Sequence, residues 1–436
     1  MSIQLRLSAV TLALLSSVCA PLALGQTSQL SSATPLTLGQ VLAGARGNVN
    51  VSLARSAADA AQSDILAADH APTPTLSAKL SSIDLENGIG QGSVLGERRI
   101  DKGIAIDWIW ERGNKRELRT LAAQRNATAA TADMEETQMQ QLLAASGAFF
   151  DLAAAQERVT LVEQIANGTA QIASTAARRA TAGDLAHQDA LRLEIEAERA
   201  KGDVMAATLD QQRAALALAA LLGVSNSAQF LHTQSGWHTA YDKPADTDLS
   251  ESVLETLIEA RADIRAAKDR AAAADAALQG ASAQKKADIT WGVSLDHFPG
   301  TSSSLLELRL QMPLQFGYQF QGETGRAQAQ LDAARSALEK IRLAAVLELQ
   351  GLRAQLLSTT QRDQSYQHNI LPRASQVAAQ AELAYTKGAL ALSDLIDARR
   401  TLRATGLEAL AAQADHAKAV TAWRLRTQSL ATLLTE

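Results

Sequence analysis

The sequence is poor in several residue types that most chains of its length use freely. It has a single cysteine, Cys19, aromatic residues make up 3% of its 436 residues, and only 8 residues are prolines. A chain with one cysteine forms no internal disulfide and no thiolate metal site. The net charge of −5 provides no basic surface for nucleic acid. These absences argue against a disulfide-rich domain and against a nucleic-acid-binding protein.

The first residues have the order of a targeting segment. Arg6 precedes an apolar run over residues 7–18, and small residues follow at Ala23 and Gly25. This order predicts a signal peptide over residues 1–25, cleaved after Gly25. Residues 16–18 fit the sequence before a lipidated cysteine poorly, so this cleavage is preferred to a lipid anchor at Cys19. After the segment, no run of 18 or more apolar residues predicts a transmembrane helix.

Alanine is abundant and lies in long helical patterns. From Asn114 to about Arg179 the pattern predicts one helix of roughly 65 residues, or near 100 Å at about 1.5 Å per residue. A return helix is predicted after Gly183 and ends at about Leu222. Such a sequence forms long, closely packed helices more readily than a bulky globular core.

The same order of elements occurs twice along the chain. Asp189 lies six residues after Gly183, and Asp394 lies six residues after Gly388. Each glycine interrupts a helical pattern. This recurrence predicts two helix turns in matching positions. The predicted organisation is a first repeat over residues 26–223, a connector over residues 224–247 and a second repeat over residues 248–436.

Four segments alternate apolar and polar residues with the period of a β-strand. They cover residues 75–85, 100–110, 289–298 and 305–312. One face is aliphatic and suits lipid, with interfacial tryptophans predicted at Trp108, Trp110 and Trp291. The other face is predicted to line a water-filled barrel and carries Asp101, Asp107, Asp296, Glu307 and Arg309. A half-exposed soluble sheet is the alternative for any single strand.

No motif in the sequence indicates an enzyme. The seven histidines are scattered, and the sequence has no nucleophile elbow, zinc-protease helix or phosphate loop. Neither a metal site nor a cofactor is predicted. Asp394 and Asp397 lie three residues apart on one helix face, and Asp189 follows the first turn. In an assembly of several chains these carboxylates could form a ring at a pore aperture, whereas a solvated helix hairpin is the alternative.

The chain resembles the outer-membrane efflux protein family, which comprises the TolC-like exit ducts of Gram-negative tripartite pumps and type I secretion systems. The resemblance covers nearly the whole chain after residue 25 and is most specific at Gly183, Asp189, Gly223, Met312, Pro313, Leu314, Tyr385, Gly388, Asp394, Leu395, Asp397 and Ala398. It implies a mainly α fold in a homotrimer, with four strands per chain in a twelve-stranded outer-membrane β-barrel. A long periplasmic α-barrel would extend from it.

The resemblance also implies partners and a location. The α-barrel would be closed at its far tip and would contact a periplasmic adaptor of an inner-membrane pump, while the β-barrel would lie in outer-membrane lipid. The matching tip residues are Asp394, Asp397 and Asp189 at the aperture, and Gly183, Leu185, Tyr385, Gly388 and Leu390 at the adaptor contact. Leu390 replaces a basic residue of some members, so a salt-bridged lock is not expected there.

Two segments bear on the subfamily. Residues 111–119 and 317–328 are similar to stretches of heavy-metal efflux members, which favours an RND-type pump. The expected function is a passive export duct for metal cations or drugs. A type I secretion duct and an extended helical scaffold without a pore are the alternatives.

Overall fold

A computed structural model describes residues 35–83, 86, 100–224, 231–234, 236 and 250–428. The predicted signal peptide with Cys19, and most of the predicted connector, lie outside the described residues. None of the helices in the described ranges has the length and apolar character needed to cross a membrane.

The chain is mainly helical, with four strands in two separate pairs along the sequence, which confirms the predicted fold class. The first half contains α1 (Leu38–Ala45), α2 (Val49–Ala68), β1 (Thr75–Ser81), β2 (Asp101–Trp110), α3 (Lys115–Thr181) and α4 (His187–Leu222). The second half contains α5 (Glu251–Ala260), α6 (Ala262–Ala283), β3 (Ile289–Phe298), β4 (Ser302–Gln311), α7 (Gln321–Ser365), a π-helical segment (Tyr366–Ile370), α8 (Leu371–Thr386) and α9 (Leu392–Thr427).

Two helical stretches are each divided in two. The sequence pattern of residues 35–70 is helical throughout, but the helix breaks between α1 and α2, where Asn48 takes an extended conformation and its side chain accepts the Asn50 N–H at 2.8 Å. This is an N-cap interaction that starts a new helix. The pattern from residue 248 to about residue 286 is helical as well, but the backbone is extended at Arg261, between α5 and α6.

The long helix of the first half is present as predicted. α3 has 67 residues, which corresponds to about 100 Å at about 1.5 Å per residue. Its counterpart in the second half is interrupted: the π-helical segment separates α7 from α8, and Pro372 is the second residue of α8. Because proline has no N–H and its ring clashes with the carbonyl four residues earlier, the regular α-helical hydrogen bonding cannot continue through this point.

The four strands form one antiparallel sheet in the order β1-β2-β3-β4. β1 ends four residues earlier than the predicted strand, because Ser82 has a positive φ of 64°. β4 begins earlier than predicted and ends at Gln311, one residue before the Met312–Pro313 step. Proline cannot donate to a strand ladder, which accounts for this end.

The two faces of the sheet differ as the alternation predicts. The aliphatic face is open to the surroundings in the single chain: Leu76 is 72% exposed, Leu308 is 76% exposed and Ile104 is 59% exposed. Trp108 pairs directly with Trp291 across β2 and β3, and both lie on this face. Lys102 also lies on this face, next to the end of β2. The opposite face carries Asp101, Asp107, Asp296, Glu307 and Arg309. Within the described chain, β1 and β4 each leave one edge without a partner strand.

The helices pack through small residues. Alanines are half of the buried side chains of α3, five of the six of α6 and five of the thirteen of α9, and they allow helix axes to approach closely. Larger side chains are concentrated near the middle of α3, where Phe149 and Phe150 contact edge to face at 5.2 Å between ring centroids. Phe150 and Trp423 of α9 are among the largest fully buried side chains.

A buried ionic network joins the two halves. Arg426 of α9 makes two hydrogen bonds to the Glu136 carboxylate of α3, at 2.9 and 3.1 Å, and a third to Glu348 of α7 at 2.9 Å. Glu348 also accepts from Arg261, which in turn bonds to Asp263. Both arginine side chains are less than a tenth exposed. The network fixes the junction at which α9 meets α3, α7 and α6.

Candidate functional site

Two helix turns, between α3 and α4 and between α8 and α9, have the same backbone structure. Gly183 has φ +81° and Gly388 has φ +73°. In the first turn the Asp184 N–H donates to the Arg179 carbonyl at 2.9 Å, and in the second the Ala389 N–H donates to the Ala384 carbonyl at 2.8 Å. These bonds define two Schellman motifs, in which a left-handed residue ends the helix. We call them the tip turns.

The return helices start in the same way. Ala186 and Ala391 take extended conformations at the N-caps of α4 and α9, and neither supplies a side-chain cap. Asp189 and Asp394 then occupy the same position, the third residue of each helix. A carboxylate in the first helical turn is stabilised by the helix dipole. Both aspartates therefore have a local structural role, in addition to any role at an aperture.

A small apolar cluster holds the two tip turns together. Its buried members come from both halves and are Ala176, Ala190, Leu193, Leu392 and Leu395. Leu185 and Tyr385 are half-buried against it. The structure thus places side chains of the predicted tip residues in one region, whereas Leu390 is not part of the cluster. Their roles in adaptor contact stay predictions.

The predicted aperture carboxylates are the more exposed part of this region. Asp397 is 73% exposed, and its nearest cation is Arg400 at 3.8 Å. Asp394 is exposed and accepts from the Ser393 hydroxyl at 3.4 Å. Asp189 lies 3.7 Å from Arg192 on its own helix. Asp394 and Asp397 are thus exposed in the single chain, as an aperture role would require, whereas Asp189 is half-buried.

Three arginines of α9 form an ion-pair row that the sequence reasoning missed. Arg399 pairs with Glu382 of α8 at 2.9 Å, Arg400 pairs with Glu196 of α4, and Arg403 pairs with Asp203 of α4. Hydrogen bonding from Arg400 lowers the pKa of Glu196 below its ordinary value. Two of these pairs therefore connect the second hairpin to the first. The sequence showed the arginines but not which helix they face.

The charged face of the sheet contains the second group of predicted residues. Arg309 Nη2 donates to Asp107 Oδ1 at 2.6 Å, and Ser294 Oγ donates to Asp296 Oδ2 at 2.6 Å. Asp101 accepts from the Ser82 hydroxyl. The list of residues predicted for the lumen, Asp101, Asp107, Asp296, Glu307 and Arg309, falls on β2, β3 and β4. Their lumenal role stays a prediction.

The described residues contain no group of three or more His, Cys, Asp or Glu side chains that could hold a metal ion.

The chain is similar in sequence to a metal-resistance protein and in fold to outer-membrane proteins. No model of a known protein family matches it. It is 27% identical over 373 residues to the cobalt-zinc-cadmium resistance protein CzcC of Cupriavidus metallidurans, covering 85% of each chain. The outer-membrane protein VceC of Vibrio cholerae superposes with a TM-score of 0.72 at 17% identity, over 90% of this chain and 96% of that one.

The Neisseria gonorrhoeae outer-membrane channel MtrE, solved in its open state, matches with a TM-score of 0.68 at 18% identity, over 90% of this chain and 91% of that one. The resemblance to the outer-membrane efflux protein family is confirmed. The outer-membrane efflux protein fold accounts for the long α3, for the four-stranded sheet and for the two tip turns in one chain.

Proposed function

We propose that the protein is a passive outer-membrane duct of a tripartite efflux system, assembled from three copies of the chain. The observation that carries this proposal is the sheet, which has one exposed aliphatic face, one charged face and two free edges. A membrane does not tolerate unpaired strand edges, so neighbouring chains must complete the sheet. Three copies give twelve strands, above the minimum of about eight in membrane barrels.

The helices support the same assembly. α4 carries an exposed apolar stripe, which includes Ile195 at 53% exposure and Met205 at 70% exposure. α7 carries another, with Leu343 at 61% and Leu347 at 58%. Apolar stripes of this extent on long helices are typical of surfaces that pack against other helices. In the proposed trimer, the α4 stripe of one chain faces the α7 stripe of its neighbour and closes an α-barrel.

The proposed assembly gives the sheet and the helices different surroundings. The sheet lies in the outer membrane, with Trp108, Trp110 and Trp291 at an interface, and the helices extend into the periplasm. The two repeats and their connector are proposed at the predicted bounds. At the tip turns, Gly183, Leu185, Tyr385, Gly388 and Leu390 contact a periplasmic adaptor of an inner-membrane pump. Similarity to a cobalt-zinc-cadmium resistance protein favours heavy-metal cations as the exported substrate. The segments at residues 111–119 and 317–328 favour a pump of the RND type.

A pair of neighbouring substitutions tests the barrel. Glu307 and Leu308 are consecutive on β4 and so point to opposite faces. In outer-membrane vesicles, Glu307→Cys is expected to react with a membrane-impermeant, water-soluble thiol reagent, whereas Leu308→Cys is not. Equal labelling of both would identify a soluble sheet and support the scaffold alternative.

Planar-bilayer recording tests the aperture. Six carboxylates from Asp394 and Asp397 of three chains would create a strong negative potential that attracts cations. The double substitution Asp394→Ala and Asp397→Ala is expected to weaken cation preference and block by divalent cations while the trimer persists. Glu198→Ala is the control, because Glu198 is an exposed carboxylate on α4 away from the tip. Unchanged ion selectivity in the double variant would leave the solvated-hairpin alternative.

A further inference from the structure

Two glycines on the charged face of the sheet each lie directly opposite an aspartate. Gly103 of β2 pairs with Asp296 of β3, and Asp107 of β2 pairs with Gly292 of β3. The arrangement is reciprocal, since each strand supplies one glycine and one aspartate. Ala105 lies on β2 between the two pairs.

The glycines leave space that the carboxylates fill. A Cβ on Gly103 would collide with Oδ1 of Asp296, and a Cβ on Gly292 would collide with Oδ1 of Asp107. The same Cβ on Gly292 would also lie 3.3 Å from Arg309 Nη2. Each carboxylate therefore lies flat over the Cα of the opposite glycine.

Backbone conformation does not explain these glycines. Neither Gly103 nor Gly292 has a positive φ, so an L-residue fits the backbone at both positions. Glycine within a strand is less stable than alanine, because it loses more conformational freedom on folding. The space above the Cα is thus the feature that only glycine provides here.

The two carboxylates differ in charge compensation. Asp107 is bonded to the Arg309 guanidinium at 2.6 Å, which makes a neutral pair. Asp296 is bonded to the neutral Ser294 hydroxyl at 2.6 Å. The space over Gly292 thus holds a neutral ion pair, whereas the space over Gly103 holds a carboxylate that is bonded to a neutral hydroxyl.

We propose that Gly103 and Gly292 are positioning residues that keep these carboxylates against the wall of the membrane barrel. They hold the negative charge of Asp296 and the neutral Asp107–Arg309 pair at the wall, so that the aqueous path stays clear. This inference rests on the proposed function, because it takes the charged face to line a lumen. A methyl group at Gly103 displaces the Asp296 carboxylate toward the lumen. A methyl group at Gly292 contacts both Asp107 and Arg309, so it displaces the neutral pair as a whole.

The local potential on this face can be measured with a thiol at position 105. Ala105→Cys, in a Cys19→Ser background, is treated with cationic and anionic methanethiosulfonates of similar size in the assembled protein. One unit charge several ångströms away changes such a rate ratio by about two- to fivefold. Adding Gly103→Ala is expected to raise the cationic-to-anionic ratio by about that factor. Gly292→Ala is expected to change it less, because opposite charges move together.

Two further variants identify the cause. Asp296→Asn in the Gly103→Ala background is expected to abolish the rise in the ratio. Gly147→Ala on α3 is the control, because a Cβ there meets nothing within 4 Å. If Gly103→Ala prevents assembly, Gly103→Ala with Asp296→Ala is expected to restore the trimer, because it removes the colliding carboxylate.

The outcomes separate the inference from the proposed function. If the thiol of Ala105→Cys reacts with neither reagent, the charged face is not an aqueous lumen and the proposed function fails. If it reacts, but the assembled Gly103→Ala variant gives an unchanged ratio, the positioning role is overturned. Failure of Asp296→Ala to restore an unassembled Gly103→Ala variant overturns it as well.

Discussion

The long helices of the two halves have the same place in the fold but different construction. α3 runs without interruption and buries fourteen side chains, whereas α7 buries five and α8 one. The π-helical segment Tyr366–Ile370 divides the second helix, two residues before Pro372. π-Helical turns inside α-helices weaken the regular hydrogen bonding and often mark functional points.

In the proposed duct, this difference favours the second hairpin as the part that moves. The first hairpin, α3 with α4, is held by its own core in the single chain. The second, α8 with α9, follows an interruption, and α8 leaves Val377 and Leu383 more than half exposed. In the proposed duct, opening would therefore displace the second hairpin about the π-helical segment while the first stays fixed. An adaptor that binds the open tip better would shift the equilibrium toward it.

The largest expected effect comes from the core of α3. Phe150 is fully buried, and Phe150→Ala should lower the free energy of unfolding by about 3–5 kcal/mol, because it leaves a cavity. Phe150 lies 33 residues before the tip glycine Gly183. Gln355 of α7 lies 33 residues before Gly388 and is exposed. Gln355→Ala should change the free energy by no more than about 0.5 kcal/mol. Urea unfolding of the detergent-solubilised protein measures both, and equal effects would remove the contrast between the helices.

The second prediction concerns the tip turns, where the halves should behave alike. Gly183 and Gly388 both have positive φ, and a Cβ at either meets nothing within 4 Å. Gly183→Ala and Gly388→Ala should each lower the free energy of unfolding by about 1–2 kcal/mol. The cause is the strain of alanine in the left-handed conformation, since the added Cβ meets no other atom. Thermal unfolding of the two variants measures this. A much larger cost at one glycine would show that its turn has a packing role that the other lacks.

The third prediction concerns the π-helical segment itself. Tyr366 donates to Glu408 of α9 at 2.9 Å, and this bond raises the pKa of Tyr366. Tyr366→Phe removes the bond, so amide exchange over residues 366–374 should become about two- to tenfold faster. Tyr318→Phe is the matched control, since Tyr318 bonds to Glu323 outside the segment. In the wild-type protein, amide exchange over residues 366–374 should already be faster than over residues 161–169 of α3.

Much of the fold followed from local patterns. Alternation with period two predicted β3 with the bounds that the structure has, and predicted which face carries Glu307 and Arg309. The recurrence of glycine before aspartate predicted the tip turns at Gly183 and Gly388. These features depend on residues that are close in sequence, so one amino-acid sequence is enough to predict them.

The rest depends on how elements meet. Pro372 was visible in the sequence, but proline can end a helix, kink it or be absorbed by a π-helical turn, and only the packing of α8 decides among these. The break at Arg261 likewise depends on its bonds to Asp263 and Glu348. The opposition of Gly103 to Asp296 requires the register between β2 and β3, which strand periodicity alone does not give.

The smallest expected effect tests the connection between the two hairpins. Arg400 of α9 bonds to Glu196 of α4 and lowers the Glu196 pKa in the folded protein. The pair therefore contributes stability above the unfolded pKa, near 4.5, and this contribution is lost as the pH falls through the lower folded value. Because Arg400 is half exposed, solvent screening limits the contribution to about 0.2–1 kcal/mol.

The measurement is the difference in urea midpoint between the wild-type protein and Glu196→Gln, followed from pH 7 to pH 2.5. The wild type should be the more stable at pH 7, and the difference should shrink only below about pH 4.5. Glu198→Gln is the control, because Glu198 pairs with Lys201 on its own helix and is 65% exposed. If Glu196→Gln matches the wild type at pH 7, the pair does not hold the hairpins together. The second hairpin would then be joined to the first at the tip mainly by the apolar cluster around Leu193 and Leu395 and by the Arg403–Asp203 pair.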